Sequence, residues 1–277
     1  MRHLRIQQFL RDSPQLKRNR TACGLRRATL PFGEGLGERL FHASLHCGCN
    51  VLRAVPPAGG LCRGFFIIYK DMVEEINEKL KGIKRSFRSV MNGVASHSMR
   101  EKGVGYKLNW GVSLVHLREM ADNYGKDYDL AIALWKEDIR ECKILATLIM
   151  PADQLLPEVA DIWLEQTTSQ ELAEMLAVNL LKDVSYAPEI AYRWIASDKD
   201  IPQICGFSIL SRLFMNGQEP NERGINEFLD QAITAMQGQH MGVSHSAWNC
   251  VNRFADLGED YGTLAQKALR QAGLDLL

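Results

Sequence analysis

Glu171 and Glu174 form one pair in this 277-residue chain whose residue types and spacing could do acid–base chemistry. Three residues apart, they share a helix face if their segment is helical. Two carboxylates on one face can act as a general acid and a general base. A second reading is equally open. Ser169 stands just before them and could cap the helix, and acids in a first turn are favoured by the helix dipole. A basic series, Lys79, Lys81, Lys84, Arg85 and Arg88, is either a local phosphate-binding edge or a solvated face. Gly103, Gly105 and Gly111 could cradle phosphate, but they follow no strand and match no P-loop spacing, so a structured turn is expected. His42, His46, Cys47 and Cys49 invite a zinc reading but lack a second CxxC or HxxxH pair. His97, His116, His240 and His245 form no metal-ligand spacing.

The elements that must position these groups fall in one part of the chain. Residues 1–71 hold 12 of the 33 basic residues and only 4 of the 33 acidic ones, so the remainder carries a surplus of eight negative charges. Such a body argues against a surface coated in phosphate contacts, although a local basic patch stays possible. The head is rich in Arg and Gly and broken by Pro56-Pro57 and Gly59-Gly60. It could be a transit peptide, a basic nucleic-acid arm, or translated upstream sequence with the natural start at Met72. The last is favoured, because the composition changes there abruptly. The expected organisation is an N-terminal extension over 1–71 and one helical domain over 72–277. Cys142, Cys205 and Cys250 sit in apolar helical patterns and read as buried, reduced residues. A disulfide framework is not expected, which points to the cytoplasm, and no apolar run reaches the roughly 20 residues that span a bilayer.

From Met72 the spacing predicts a helix over 72–91, with Val73, Ile76, Leu80, Ile83, Phe87 and Met91 on one face. Gly93 to Gly111 reads as a loop-rich connection. Further helices are expected at about 111–124, 126–135, 137–150, 155–166, 169–182, 187–197, 199–215, 221–237, 242–257 and 259–273. The chain is centred on residues 134–150, where Trp135, Ile139, Cys142, Ala146 and Ile149 recur at helical steps. Lys136, Glu137, Arg140 and Lys143 lie on the other side, and Pro151 stops the helix. Trp135, Trp163 and Trp194 recur about thirty residues apart. Helices in short antiparallel pairs at such a period predict an all-α superhelix, an α-solenoid with a concave groove. On that groove Trp248 and Arg253 could supply a stacking face and a phosphate contact, or Trp248 could be core. Met236 and Met241 read as packing residues.

At this point specific residues look familiar. Residues 72–274 resemble the DNA alkylation repair enzyme family, the AlkD-like DNA glycosylases built from HEAT-like repeats. The resemblance rests on Gly111-Val112-Ser113, Leu117-Arg118, Leu130-Ala131, Leu134-Trp135, Arg140-Glu141, Ile144-Leu145-Ala146, Trp163, Trp194 and Gly206-Phe207. It implies excision of N3- or N7-alkylated purines. Aromatic faces would attract the cationic lesion, and a carboxylate would stabilise the oxocarbenium-like transition state. The implied partner is double-stranded DNA, possibly alkylated, bound by a monomer without metal or cofactor.

The family's active-site segment reads Trp-Asp-x-x-Asp. Counted without gaps, its Trp falls on Gln170, its first Asp on Glu171 and its catalytic Asp on Glu174. The family's groove Arg falls on Ile204. A second stacking Trp falls near Cys250, with Trp248 two residues upstream, and the following Arg is retained as Arg253. The resemblance therefore implies Glu174 and Glu171 as catalytic candidates. DNA-contact candidates are Gln170, Trp248 and Arg253, with Lys84, Arg85 and Arg88 from the basic edge. The stacking Trp and the groove Arg are replaced. Three functions follow as expectations: an alkylpurine glycosylase with a remodelled pocket, a DNA-binding solenoid without excision, or a protein-interaction scaffold. Arg140-Glu141 reads as a helix-to-helix fastening rather than as chemistry.

Overall fold

The structure, a computed structural model, describes residues 60–102 and 105–274, with side chains from Asp71 onward. The His42, His46, Cys47 and Cys49 cluster, Gly103 and most of the basic head lie outside the described residues. Among the described residues twelve α-helices follow in order. They are α1 Gly60–Ser89, α2 Gly93–Glu101, α3 Leu114–Tyr124, α4 Tyr128–Trp135, α5 Arg140–Ile149 and α6 Pro157–Glu165, then α7 Gln170–Asn179, α8 Ala187–Ile195, α9 Asp200–Met215, α10 Glu222–Gln237, α11 Met241–Ala255 and α12 Glu259–Gln271. The only β-pairing among the described residues is an isolated bridge between Leu108 and Ile139. Helix starts follow local chemistry. Ser113, Asp127, Ser169, Asn221 and His240 each accept from a backbone N–H of the first turn that would otherwise lack a partner.

The helices form two layers. In one layer α3 packs on α5, α5 on α7, α7 on α9 and α9 on α11. The other layer includes the contacts α1 to α4, α8 to α10 and α10 to α12. Hydrogen bonds between successive repeats recur at a nearly fixed separation. Trp110 N–H bonds Glu141 (31 residues apart), Trp135 Nε1 bonds Gln166 (31), Arg140 bonds Glu171 (31), and Asn179 bonds Thr147 (32). Further along, Tyr186 bonds Leu155 (31), Arg193 bonds Asp161 (32) and Tyr192 bonds Gly224 (32). A constant offset of this kind is what a stack of near-identical helix pairs requires, because each pair meets its neighbour in the same way.

The apolar pattern explains the layers. Leu80, Ile83 and Phe87 of α1 are buried, whereas Val73 and Met91 at the two ends of the same stripe are 37% and 62% exposed. Trp135 and Trp163 stack with ring centroids 4.1 Å apart and planes parallel within 1°, joining α4 to α6. Phe214, Phe228, Phe254 and Tyr261 meet edge-on or tilted at centroid distances of 5.3 to 5.5 Å, closing the last repeats. Gly206 lets α9 lie against α8: a Cβ there would stand 2.9 Å from the Ala191 carbonyl oxygen and 2.8 Å from the Ile195 side chain.

Three expectations change. The break expected between the helices at about 126–135 and 137–150 is longer than one residue. Trp135 ends α4 and Arg140 begins α5, because Ile139 is extended (φ −131°, ψ 123°) and pairs with Leu108 through Leu108 N–H to Asp138 O and Arg140 N–H to Leu108 O. Second, the Gly93–Gly111 connection contains α2, whose nine residues bury only Ser96 and so left no apolar stripe to read. Third, the first helix is longer than expected at its start, running from Gly60. Cys142, Cys205 and Cys250 are buried and free, and burial pushes the Cys142 thiol up to about 12.

Candidate functional site

Two cavities lie on the layer made by α3, α5, α7, α9 and α11, and they share Arg118. One, of about 330 Å³, gathers Glu174, Ser208, Arg212, His245 and Asn249 from α7, α9 and α11 around Arg118 of α3. Helices that are not neighbours thus converge on one space, so this layer is the concave side. The other, of about 500 Å³, continues past Leu148 and Asn179 to Asp122 and Lys126 at the far end of α3. Together they form one groove. Its lining carries the cations Arg118, Lys126 and Arg212 against the carboxylates Asp122 and Glu174. A small positive excess therefore lies in a body whose total charge is negative. Neither Arg118 nor Arg212 forms an ion pair with a carboxylate among the described residues. Lys126 is held by the carbonyls of Leu148 (2.8 Å) and Met150 (3.3 Å) at the C-terminus of α5, the negative end of that helix.

Glu171 and Glu174 go to different partners. Glu171 accepts from the Arg140 guanidinium through both carboxylate oxygens, Nε at 2.8 Å and the second nitrogen alongside it. Glu174 turns into the groove and accepts only from Gln170 Nε2, at 2.8 Å. The pair therefore does not act as one unit. Ser169 caps α7 as expected and also meets Tyr106 Oη at 2.8 Å. Burial raises the Tyr106 phenol above its usual range, so it stays a neutral hydrogen-bonding group. Tyr106 left no signal in the sequence, since it stands in an aperiodic segment.

Arg140 and Glu141 form the fastening at the start of α5. Glu141 Oε1 accepts from the N–H groups of Trp110 (3.2 Å), Gly111 (2.9 Å) and Val112 (3.3 Å), while Oε2 is buried without a partner. Arg140 closes the network through Val112 O at 3.1 Å and Glu141 Oε1 at 3.3 Å. This cluster fixes the turn that aims α3, and with it Arg118, into the groove. Both Arg140 and Lys143 are buried, at 4% and 8% exposure, although their spacing set them opposite the apolar stripe. The adjoining repeats cover that side of α5. Lys143 Nζ lies 4.6 Å from the centre of the Trp135 ring, and burial lowers its pKa.

The remaining candidates spread out. Gln170 reaches the N-terminus of α11: a Cβ on Gly242 would stand 2.5 Å from Gln170 Oε1. Ile204, on the groove-side register of α9, is fully buried, so the position counted to the family's groove Arg is core. Arg253 follows His245 and Asn249 at helical steps of four, on the groove face of α11, and pairs with Asp256 at 3.1 Å. Trp248 does not share that face. It lines a crevice between α11 and α12. Lys84, Arg85 and Arg88 sit on α1 in the other layer, where Lys84 is paired with Glu137 at 2.7 Å. Met241, expected to pack, is 83% exposed at the groove's α11 end.

The chain was compared with known proteins. A solved structure described as "A new family of proteins related to the HEAT-like repeat DNA glycosylases with affinity for branched DNA structures" is similar in fold, with a TM-score of 0.61. It is 19% identical and the match covers 69% of this chain and 80% of that one. No curated protein sequence matches. The sequence profile described as DNA alkylation repair enzyme matches residues 83–236, more than half of the chain and the whole stretch from α1 into α10. With the two-layered repeat fold, this match places the chain: it belongs to the DNA alkylation repair enzyme family.

Proposed function

We propose that this protein binds DNA along the α3–α11 groove and recognises its backbone rather than excising a base. The observation that carries this reading is the pairing state of the groove's charges. Arg118 and Arg212 stand at the groove without carboxylate partners, which is the arrangement that phosphate oxygens satisfy. Ser208, His245 and Asn249 add further hydrogen-bonding groups beside them. The cavity around Glu174 contains no Phe, Tyr or Trp. A site that must hold a cationic alkylated purine needs an aromatic face, and here Gln170 occupies the position where the family has one. The similar structure's affinity for branched DNA supports DNA as the partner class.

A second reading rests on Glu174 itself. Its carboxylate faces the groove and is met only by a neutral amide, so it is free to stabilise positive charge on a deoxyribose if a base leaves. One pair of experiments tests both. The full chain is titrated with fluorescent duplex and with a branched duplex, and is incubated with alkylated DNA while released 7-methylguanine and 3-methyladenine are measured. Binding without release is expected. Release abolished by Glu174→Gln would favour the second reading, and no binding to either DNA would overturn both.

A further inference from the structure

We propose that the crevice between α11 and α12 is a receptor for a single unpaired nucleobase, a site separate from the groove. The inference rests on the DNA-binding reading above and deepens it. The crevice is lined by Trp248, Asn252 and Ala255 of α11 and by Gly262, Gln266 and Arg270 of α12. Its volume is about 130 Å³. A protein cavity of about 150 Å³ encloses benzene, so this slightly smaller but open crevice takes the leading ring of a base and leaves the rest of the base outside. Four of its walls have the chemistry that recognises a base. Trp248 is half-buried and offers a stacking face. Asn252 and Gln266 carry amides, whose donor–acceptor pairs match base edges. Arg270, exposed at the rim, supplies a cation for the attached phosphate.

The position of the crevice gives the base its source. α11 is the last helix of the groove layer: His245 and Asn249 line the groove with Arg253 one further step of four along, and Trp248 and Asn252, on the adjoining face, line the crevice. A strand leaving the groove beside Arg253 reaches the crevice by passing round part of α11, a path shorter than the helix width of about 10 Å. In a continuous duplex every base is stacked and paired, so none is free to enter. At a branch point or flap the departing strand has unstacked bases. The crevice therefore gives the protein a preference for branched over linear DNA, without any contact to a lesion.

Two variants test this from opposite walls. Trp248→Leu removes the stacking face. Gly262→Leu fills the space from α12, where a Cβ meets only the Ala255 carbonyl at 3.7 Å and where Leu is the better helix former. Each is titrated in the full chain against a linear duplex and a flap duplex whose unpaired strand carries 2-aminopurine. For the wild type, flap DNA should bind more tightly and 2-aminopurine fluorescence should be quenched. Both variants should keep duplex affinity, lose about tenfold on the flap, and lose the quenching. Unchanged flap preference and quenching in both variants would overturn the receptor while leaving groove binding intact. Failure of the wild type to bind either DNA would instead sink the groove reading and this proposal with it.

Discussion

Replacing Arg140 with Met should be among the most damaging single changes in the fold. The guanidinium is 4% exposed and meets four groups: both oxygens of Glu171, Glu141 Oε1 and Val112 O. Met fills much of the volume but leaves Glu141, fully buried, as a carboxylate with no counter-charge and an Oε2 already lacking a partner. Breaking a buried pair from one side costs about 3–5 kcal/mol. For a domain of this size that lowers the melting temperature by roughly 6–20 °C. Glu171 is different, because its side chain is 36% exposed and the pair is screened on that side. Glu171→Gln should cost only about 1 kcal/mol. The double variant Arg140→Met with Glu141→Gln removes the stranded charge and should recover at least about 1 kcal/mol relative to additivity. Urea and thermal denaturation of the full chain measure five proteins, the Glu141→Gln single variant included. If Arg140→Met melts within about 2 °C of the wild type, or if Glu171→Gln is equally harmful, the fastening does not hold the repeats as described.

Gly111 has φ +70°, and a Cβ there would stand 2.3 Å from the Asn92 carbonyl oxygen, so Gly111→Ala should cost about 2 kcal/mol or more in the same denaturation assay. Burial holds the Cys142 thiol and the Tyr186 and Tyr192 phenols up to about 12. Groups raised in the folded state stabilise it fully below their unfolded values near 9 and 10, and that contribution is lost as pH climbs toward 12. The urea midpoint should therefore fall between pH 8.5 and about 10.5, whereas an unchanged midpoint would contradict the burial. Glu174→Gln removes a negative charge from the groove and should raise affinity for duplex DNA about two- to fivefold, read by fluorescence anisotropy. A loss of affinity would show that the carboxylate does not face the phosphates.

Most of the fold was legible because the repeat is built from short amphipathic helices with explicit stops. Pro151, Pro157, Gly125 and Gly258 mark breaks that the structure keeps. The length of the break inside residues 134–150 was not legible. The apolar steps continue through Ile139, and only its pairing with distant Leu108 shows that the chain is extended there. Helix α2 was missed because its stability comes from caps and hydrogen bonds: Asn92 to Ala95 N–H, and Ser96 Oγ to the Asn109 carbonyl. The site was legible in part. Glu174 and the register of Arg253 came from spacing and family resemblance. Arg118 was quoted only as a signature, yet it joins the two halves of the groove. Arg212 carried no signal, since only the stacking of α9 between α7 and α11 turns it into the cavity. Trp248 shows the limit of counting: one helical step separates the groove face from the crevice behind it.

The salt dependence of DNA binding tests the central claim most directly. Fluorescence anisotropy of a labelled duplex with the full chain, repeated across ionic strength, counts the phosphates that the protein neutralises. The plot of log affinity against log salt should fall, and the Arg118→Gln, Arg212→Gln double variant should bind more weakly with a slope shallower by about 1.8, or 0.9 per lost contact. A double variant with the wild-type slope and affinity would contradict a groove that holds DNA through these two guanidiniums.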